Sequence, residues 1–168
     1  MFDKCKDPNN PFDAGLPCVY HGPARKLDED NLATLATVCP ELIEEYGDEL
    51  CCSPDQIADL ITNLALHRSI LAHCPSCYYN FRQSFCHFSC SPKQSDFIRI
   101  NETEAIRDEN NDENVVFRVK KVNMILTETY VNTTYDSCKD VIMSYTSKPA
   151  MDFLCGPWGS CACDPKKW

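Results

Sequence analysis

Cys74-Pro75-Ser76-Cys77-Tyr78-Tyr79-Asn80-Phe81 and, four residues on, Phe85-Cys86-His87-Phe88-Ser89-Cys90-Ser91-Pro92-Lys93-Gln94 decide how this chain folds. Four cysteines fall within seventeen residues, with Phe81, Phe85 and Phe88 at helical spacing beside them. Cys86 and Cys90 stand four apart, so on a helix they share one face and can reach two different neighbours. Ser91-Pro92 stops that helix, because the residue before a proline is pushed out of the helical region. The stretch reads as a cross-linked hub to which flanking segments are tied. Three chemistries compete for it. Cys-x2-Cys with a later Cys-x3-Cys and His87 supplies zinc ligands, but not at a zinc-ribbon spacing. Cys74-Pro-Ser-Cys77 has thioredoxin-like spacing without the strand before it and helix after it. A structural disulfide hub is the third, and the cysteine usage of the whole chain favours it.

The chain holds 13 cysteines in 168 residues, a usage that points to an oxidising compartment. A chain this long can build a core without disulfides, so many of them imply irregular loops. The odd count leaves at least one sulfur without a partner inside the chain. A net charge of −9, spread rather than blocked, argues against nucleic acid and anionic membrane surfaces. Asn101-Glu-Thr103 and Asn132-Thr-Thr134 are sequons that fit a secretory route, and both asparagines are expected on exposed surface as glycosylation sites. No apolar run approaches the roughly 20 residues that a membrane span needs. Met1-Phe2-Asp3-Lys4-Cys5 is not a signal peptide, so the chain reads as a fragment whose leader is missing.

Prolines and glycines through residue 23 exclude long regular elements at the start. Asn31–Val38 predicts a short helix, and Pro40 opens a second that Gly47 ends. The adjacent Cys51 and Cys52 face different partners. Ser53-Pro54-Asp55-Gln56 predicts a helix start, with Ser53 as cap and Gln56 at the capping-box position. Ile57, Leu60, Ile61, Leu64 and Leu71 form its buried stripe, while His67, Arg68 and His73 are expected on the solvent side or at the helix end. Residues 97–101 and 115–126 predict a hairpin, with Arg107–Asn114 as a solvated turn and a bulge near Lys120-Lys121. Glu128–Val141 returns to helical spacing, and a short helix around Met151–Leu154 precedes Cys155, Cys161 and Cys163. The expected fold is α+β and disulfide-rich, with several helices packed on a small mixed or antiparallel sheet. No nucleophile elbow, His-Glu-x-x-His, phosphate loop or dinucleotide fingerprint occurs, and the residues make no case for an enzyme, a metal or a cofactor.

The hub resembles the amino-terminal domain of the Niemann–Pick type C intracellular cholesterol transporter family, which includes an intestinal sterol-uptake paralogue. The resemblance extends through Cys39-Pro40-Glu41-Leu42, Cys51-Cys52, Tyr135-Asp136-Ser137-Cys138 and Leu154-Cys155-Gly156, covering nearly the whole chain. It implies a single domain over 1–168, incomplete at both ends, that encloses cholesterol or a related sterol. It further implies delivery by a small soluble lumenal carrier, and a multi-span membrane protein downstream. The compartment it implies is the lumen of late endosome or lysosome, or the extracellular face of the plasma membrane. A sterol brings a few hundred Å² of rigid apolar surface, on the order of 8 kcal/mol at ~25 cal/mol/Å² before ordering costs. Its one hydroxyl needs a buried partner.

By position, the resemblance makes Gln56 the hydroxyl-binding residue, Leu60 and Phe85 pocket wall, and Phe153 and Leu154 neighbours of the opening. For that role Gln56 is expected to turn inward toward Leu60 and Phe85 instead of capping Ser53. The resemblance also implies the pairs Cys5–Cys18, Cys39–Cys86, Cys52–Cys90, Cys77–Cys138 and Cys155–Cys163. Cys51 and Cys74 then have partners outside the chain, and Cys161 is extra. Two positions depart from the family pattern. Pro17 replaces an asparagine that joins the glutamine at the sterol hydroxyl, and Lys4 replaces a glutamate. Those departures support a second reading, a disulfide-rich extracellular interaction module that has lost the pocket. A reductase or isomerase working through Cys74 and Cys77 is the third.

Overall fold

In the computed structural model the protein is α+β, with helices joined to short antiparallel strand pairs. The structure describes residues 1–71, 73–108, 111–143, 146–155 and 163–164, with residues 108 and 111–114 described by their backbone alone. They divide into two compact units: Met1–Leu60 with Cys86–Ile125, and Ile61–Phe85 with Leu126–Trp168. Among the described residues no helix is long and apolar enough to cross a membrane.

In the first unit, β1 (Lys4–Cys5) pairs antiparallel with β2 (Leu16–Pro17), and β3 (Arg25–Lys26) with β4 (Glu49–Leu50). Helix α1 (Glu29–Ala36) starts where the Asp28 carboxylate accepts the Asn31 N–H at 2.9 Å, two residues earlier than the apolar spacing alone predicts. Helix α2 (Pro40–Tyr46) opens on proline and ends at Gly47, whose φ of 68° a side chain would strain. The long hairpin joins β5 (Ile98–Asp108) to β6 (Asn111–Met124), so the strands run well into the charged stretch expected to be turn. Cross-strand pairing accounts for this: Glu104 faces Arg118, and Arg107 faces Val115. The register skips Asn101 on β5 and then Lys120 on β6, the second being the bulge that the phase slip predicted. Cys18 bridges to Arg118 on the outer edge of β6, and Val19 N–H donates to the Phe117 carbonyl at 2.9 Å.

Two helices run through both units. Helix α3 (Pro54–Ile70) and helix α4 (Pro75–Cys90) each begin at a proline in the first turn. Helix α4 carries the hub. At its C-terminal end Cys86 bonds Cys39 and Cys90 bonds Cys52, with Cα separations of 5.8 and 4.7 Å. Cys51 N–H donates to the Cys90 carbonyl at 2.9 Å, adding a backbone tie beside the second bridge. All four of these bridging cysteines have zero exposure, and Leu35, Leu42, Leu50 and Ile57 are buried in the same unit. Gln94 ends the helix by donating its Nε2 to the Phe88 and Ser89 carbonyls at 2.8 Å each, which is why this polar side chain can be buried, and it opens the short helix α5 (Gln94–Phe97). Cys5–Cys18 closes the β1–β2 loop.

The second unit centres on Leu71, Cys77, Phe81, Cys138, Ala150 and Met151, all buried. Helix α6 (Glu128–Cys138) begins where Thr127 Oγ1 accepts the Tyr130 N–H at 3.3 Å, and it carries Cys138 to Cys77. Helix α7 (Met151–Leu154) ends at Cys155, which bonds Cys163. The five bridges are the five pairs that the resemblance implies. Cys51 is free and buried, Cys74 is free and half-buried, and Cys161 lies outside the described residues. Cys74 is therefore not joined to Cys77, and among the described residues no cluster of histidine, cysteine and carboxylates could hold a metal ion.

Two measurements follow from this arrangement. Peptide mapping without reduction recovers the five pairs, and an alkylating probe applied to the folded protein enters Cys74 ahead of Cys51. Burial pushes the Cys51 thiol up, so little thiolate forms there. A Cys74–Cys77 linked peptide would restore the redox reading. The second measurement concerns Asp13, whose carboxylate accepts the Asp7 N–H at 2.7 Å and the Gly15 N–H at 3.3 Å and pairs with Arg118, itself bonded to Glu104 at 2.7 Å. These bonds, that from Asp7 foremost, hold its carboxyl below the usual range. The folded value lies below the unfolded one, so the stabilisation is complete above about pH 5 and fades as pH falls through the folded value. The gap in urea midpoint between wild type and Asp13→Asn should therefore narrow from pH 5 to pH 2.

Candidate functional site

The residues expected to act on a ligand fall into two groups, one in each unit. In the first unit Gln56 sits at the third position of α3. Its Oε1 accepts the Ser53 N–H at 3.0 Å while the Gln56 N–H donates to Ser53 Oγ at 3.4 Å, which is a complete capping box. The same Oε1 accepts the Asp3 N–H at 2.8 Å from the residue before β1. The expectation that Gln56 turns away from the cap is thus not what the structure shows. The physical reason is that the amide has two ends. Both bonds use the oxygen, and Nε2 donates to no acceptor among the described residues.

Pro17 lies on β2 directly opposite Lys4, and the next residue, Cys18, donates its N–H to the Asp3 carbonyl at 3.1 Å. The β1–β2 pair therefore brings positions 3, 4 and 17 together at the start of α3. Lys4 places its ammonium 2.7 Å from Asp59 Oδ2, one turn beyond Gln56 on α3. The Lys4 side chain is 16% exposed, and its charge is answered there. Leu60, the residue after Asp59 and four after Gln56, is buried at 3% exposure.

In the second unit, Phe85 and Phe153 come together around a residue that the sequence reading placed at the surface. The His67 ring lies 4.3 Å from Phe81, 5.6 Å from Phe85 and 5.8 Å from Phe153, centroid to centroid. Phe81 and Phe85, four apart on α4, stack at 4.4 Å. Phe81 is buried, Phe85 half-buried and Phe153 48% exposed, so the cluster grades from core to solvent. Leu154 packs on the core of the same unit. The missed signal is periodicity: positions 57, 60, 64, 67 and 71 follow three- and four-residue steps, which puts His67 on the apolar stripe of α3. Its polarity disguised its position.

A cleft of about 490 Å³ lies elsewhere in the second unit, between His73, Cys74, Asp136, Ser137, Asp140, Val141 and Ile142. There the Cys74 thiol is 3.4 Å from the Ser137 carbonyl and from Ser76 Oγ. Asn101 and Asn132 are both exposed, as a glycan requires.

Comparison with known proteins agrees with this architecture. The family model described as the Niemann-Pick C1 N terminus matches residues 1–168. The NPC intracellular cholesterol transporter 1 of Sus scrofa is 34% identical over 152 residues, covering 90% of this chain and 12% of that protein. The NPC1-like intracellular cholesterol transporter 1 of Homo sapiens is 29% identical over 155 residues, or 92% of this chain and 11% of the relative. The NPC intracellular cholesterol transporter 1 homolog 1 of Caenorhabditis elegans is 35% identical over 122 residues, or 70% and 8%. The chain thus spans about an eighth or less of the length of the curated relatives it matches. With its whole length matched, the chain belongs to the Niemann-Pick C1 N-terminal family.

Proposed function

We propose that this chain binds a sterol, cholesterol or a close relative, as one domain in which the Gln56 amide donates to the sterol 3-hydroxyl. The observation that carries the reading is the half-used amide. Its oxygen is fixed by the Ser53 and Asp3 N–H groups, which orients Nε2 without occupying it. A donor already held in place loses little entropy when it binds. Leu60, one turn on from Gln56, supplies apolar wall; the parts of Phe85 as wall and of Phe153 and Leu154 as neighbours of the opening are those that the resemblance implies. In this reading the sterol arrives from a small soluble carrier and passes on toward the membrane; the relatives' names, cholesterol transporters, support the sterol class alone. The membrane-spanning remainder lies downstream, and the domain works in a lumen or at the cell surface, with glycans on Asn101 and Asn132. No catalytic step is part of this reading.

The interaction-module reading keeps one observation in its favour. Pro17 offers neither an N–H nor a polar side chain, so at position 17 only a carbonyl is available to the hydroxyl. One neutral hydrogen bond lost costs roughly 1 kcal/mol, about fivefold in affinity.

Sterol titration of three variants tests the proposal. Gln56→Ala should lose both the cap and the hydroxyl contact, binding about fivefold more weakly and unfolding at lower denaturant. Ser53→Ala removes the cap alone, so it should cost about 1 kcal/mol of stability while retaining sterol affinity. Pro17→Asn should bind about fivefold more tightly by restoring a side-chain partner. Wild-type affinity in Gln56→Ala would reduce that residue to a helix cap and favour the interaction module.

A further inference from the structure

His67 has no part in the reading so far, yet it occupies the middle of the aromatic cluster. We infer that His67 forms part of the sterol-contacting wall and that protonation of its imidazole weakens sterol binding. This rests on the sterol-binding proposal and extends it to a control of occupancy by pH.

His67 Nδ1 is 2.6 Å from the Asn63 carbonyl, so Nδ1 carries a proton in both the neutral and the charged ring. The nitrogen that gains the second proton is Nε2. From α4 the faces of Phe81 and Phe85 meet the imidazole, and from α7 the ring of Phe153 does. The charged residues next to these rings in sequence are Arg82 on α4, whose guanidinium lies 5.3 Å over the Tyr79 ring, and Asp152 on α7. Arg68 follows His67 on α3, and Tyr78 on α4 packs against the core of the same unit. No carboxylate forms an ion pair with His67 among the described residues.

Without ligand, the imidazolium is served by water at the open side of the cluster, by the ring faces and by the C-terminal end of α3. A sterol lying against Phe85 and Phe153 removes the water and supplies only hydrocarbon. Desolvating a charged ring costs far more than desolvating a neutral one. Sterol therefore prefers the neutral form, and by linkage a falling pH drives it off. An isolated surface histidine would lack this coupling, because no ligand would dry it. The three phenylalanine rings are what make the position sensitive.

The experiment is an equilibrium titration of the chain with radiolabelled cholesterol at pH 5.5, 6.5 and 7.5. Wild type and His67→Phe, His67→Gln and His87→Gln variants are compared. Wild type and His87→Gln should lose roughly three- to tenfold in affinity from pH 7.5 to pH 5.5. Both His67 variants should show the same affinity at the two ends of the range, whatever its absolute value. A pH slope that persists in both His67 variants overturns the inference, and so does a slope that His87→Gln also abolishes. Absence of cholesterol binding by wild type at every pH overturns the sterol-binding proposal itself, which distinguishes the two failures.

Discussion

The two sulfur bonds at the end of α4 are the constraint on which the first unit depends. Cys86 and Cys90 lie one helical turn apart and reach Cys39 and Cys52, which sit in segments 47 and 38 residues away along the chain. In the chain-entropy account, closing loops of that length stabilises the fold by about 4 kcal/mol each. Their effect on position matters as much as their energy. Cys52 stands one residue before Ser53, so the Cys52–Cys90 bridge fixes where α3 begins. The capping box at Ser53 and Gln56 is built on that anchored start. The position of the capping box is thus a consequence of the cross-link, although no cysteine belongs to it.

The same economy appears in Gln56. A glutamine at the third position of a helix closes a capping box in many proteins, and nothing about that role implies a ligand. Here the carbonyl end is doubly engaged, by α3's own cap and by the N–H before β1. The amide plane is consequently set by backbone atoms, which cannot adopt alternative rotamers. The cap and the proposed sterol contact are compatible because they use opposite ends of one group. The β1–β2 pair completes the surroundings, since it places Lys4 and Pro17 opposite one another. The lysine is answered by Asp59.

The second unit follows a different logic. Its core is tied by Cys77–Cys138, and its aromatic cluster is assembled from α3, α4 and α7 with a histidine among phenylalanines. A neutral imidazole packs against ring faces much as another aromatic would, and a charged one gains from the same faces while water reaches it. That dual tolerance lets a titratable group occupy an otherwise apolar stripe.

The sequence by itself determined where α2 starts and stops, where α3 starts and where α4 stops, because these ends rest on local chemistry. Pro40, Gly47, the Ser53 capping box and Ser91-Pro92 each act within one helical turn, and the observed elements start or stop where those residues stand. The same-face placement of Cys86 and Cys90 was equally legible, since helical geometry fixes it. Their partners were known only through resemblance, for spacing alone leaves the pairing open. Tertiary structure alone decided three further matters. The hairpin reached into the charged stretch because the pairing of Arg107 with Val115 and of Asp108 with Asn111 forms only across strands. Gln56 gained its second backbone donor from Asp3, a residue 53 positions away. His67 went to the inside of an aromatic cluster, which its polarity hid and its spacing permitted. Local rules place a residue on a face of its helix, but only the packing of other segments determines what that face meets.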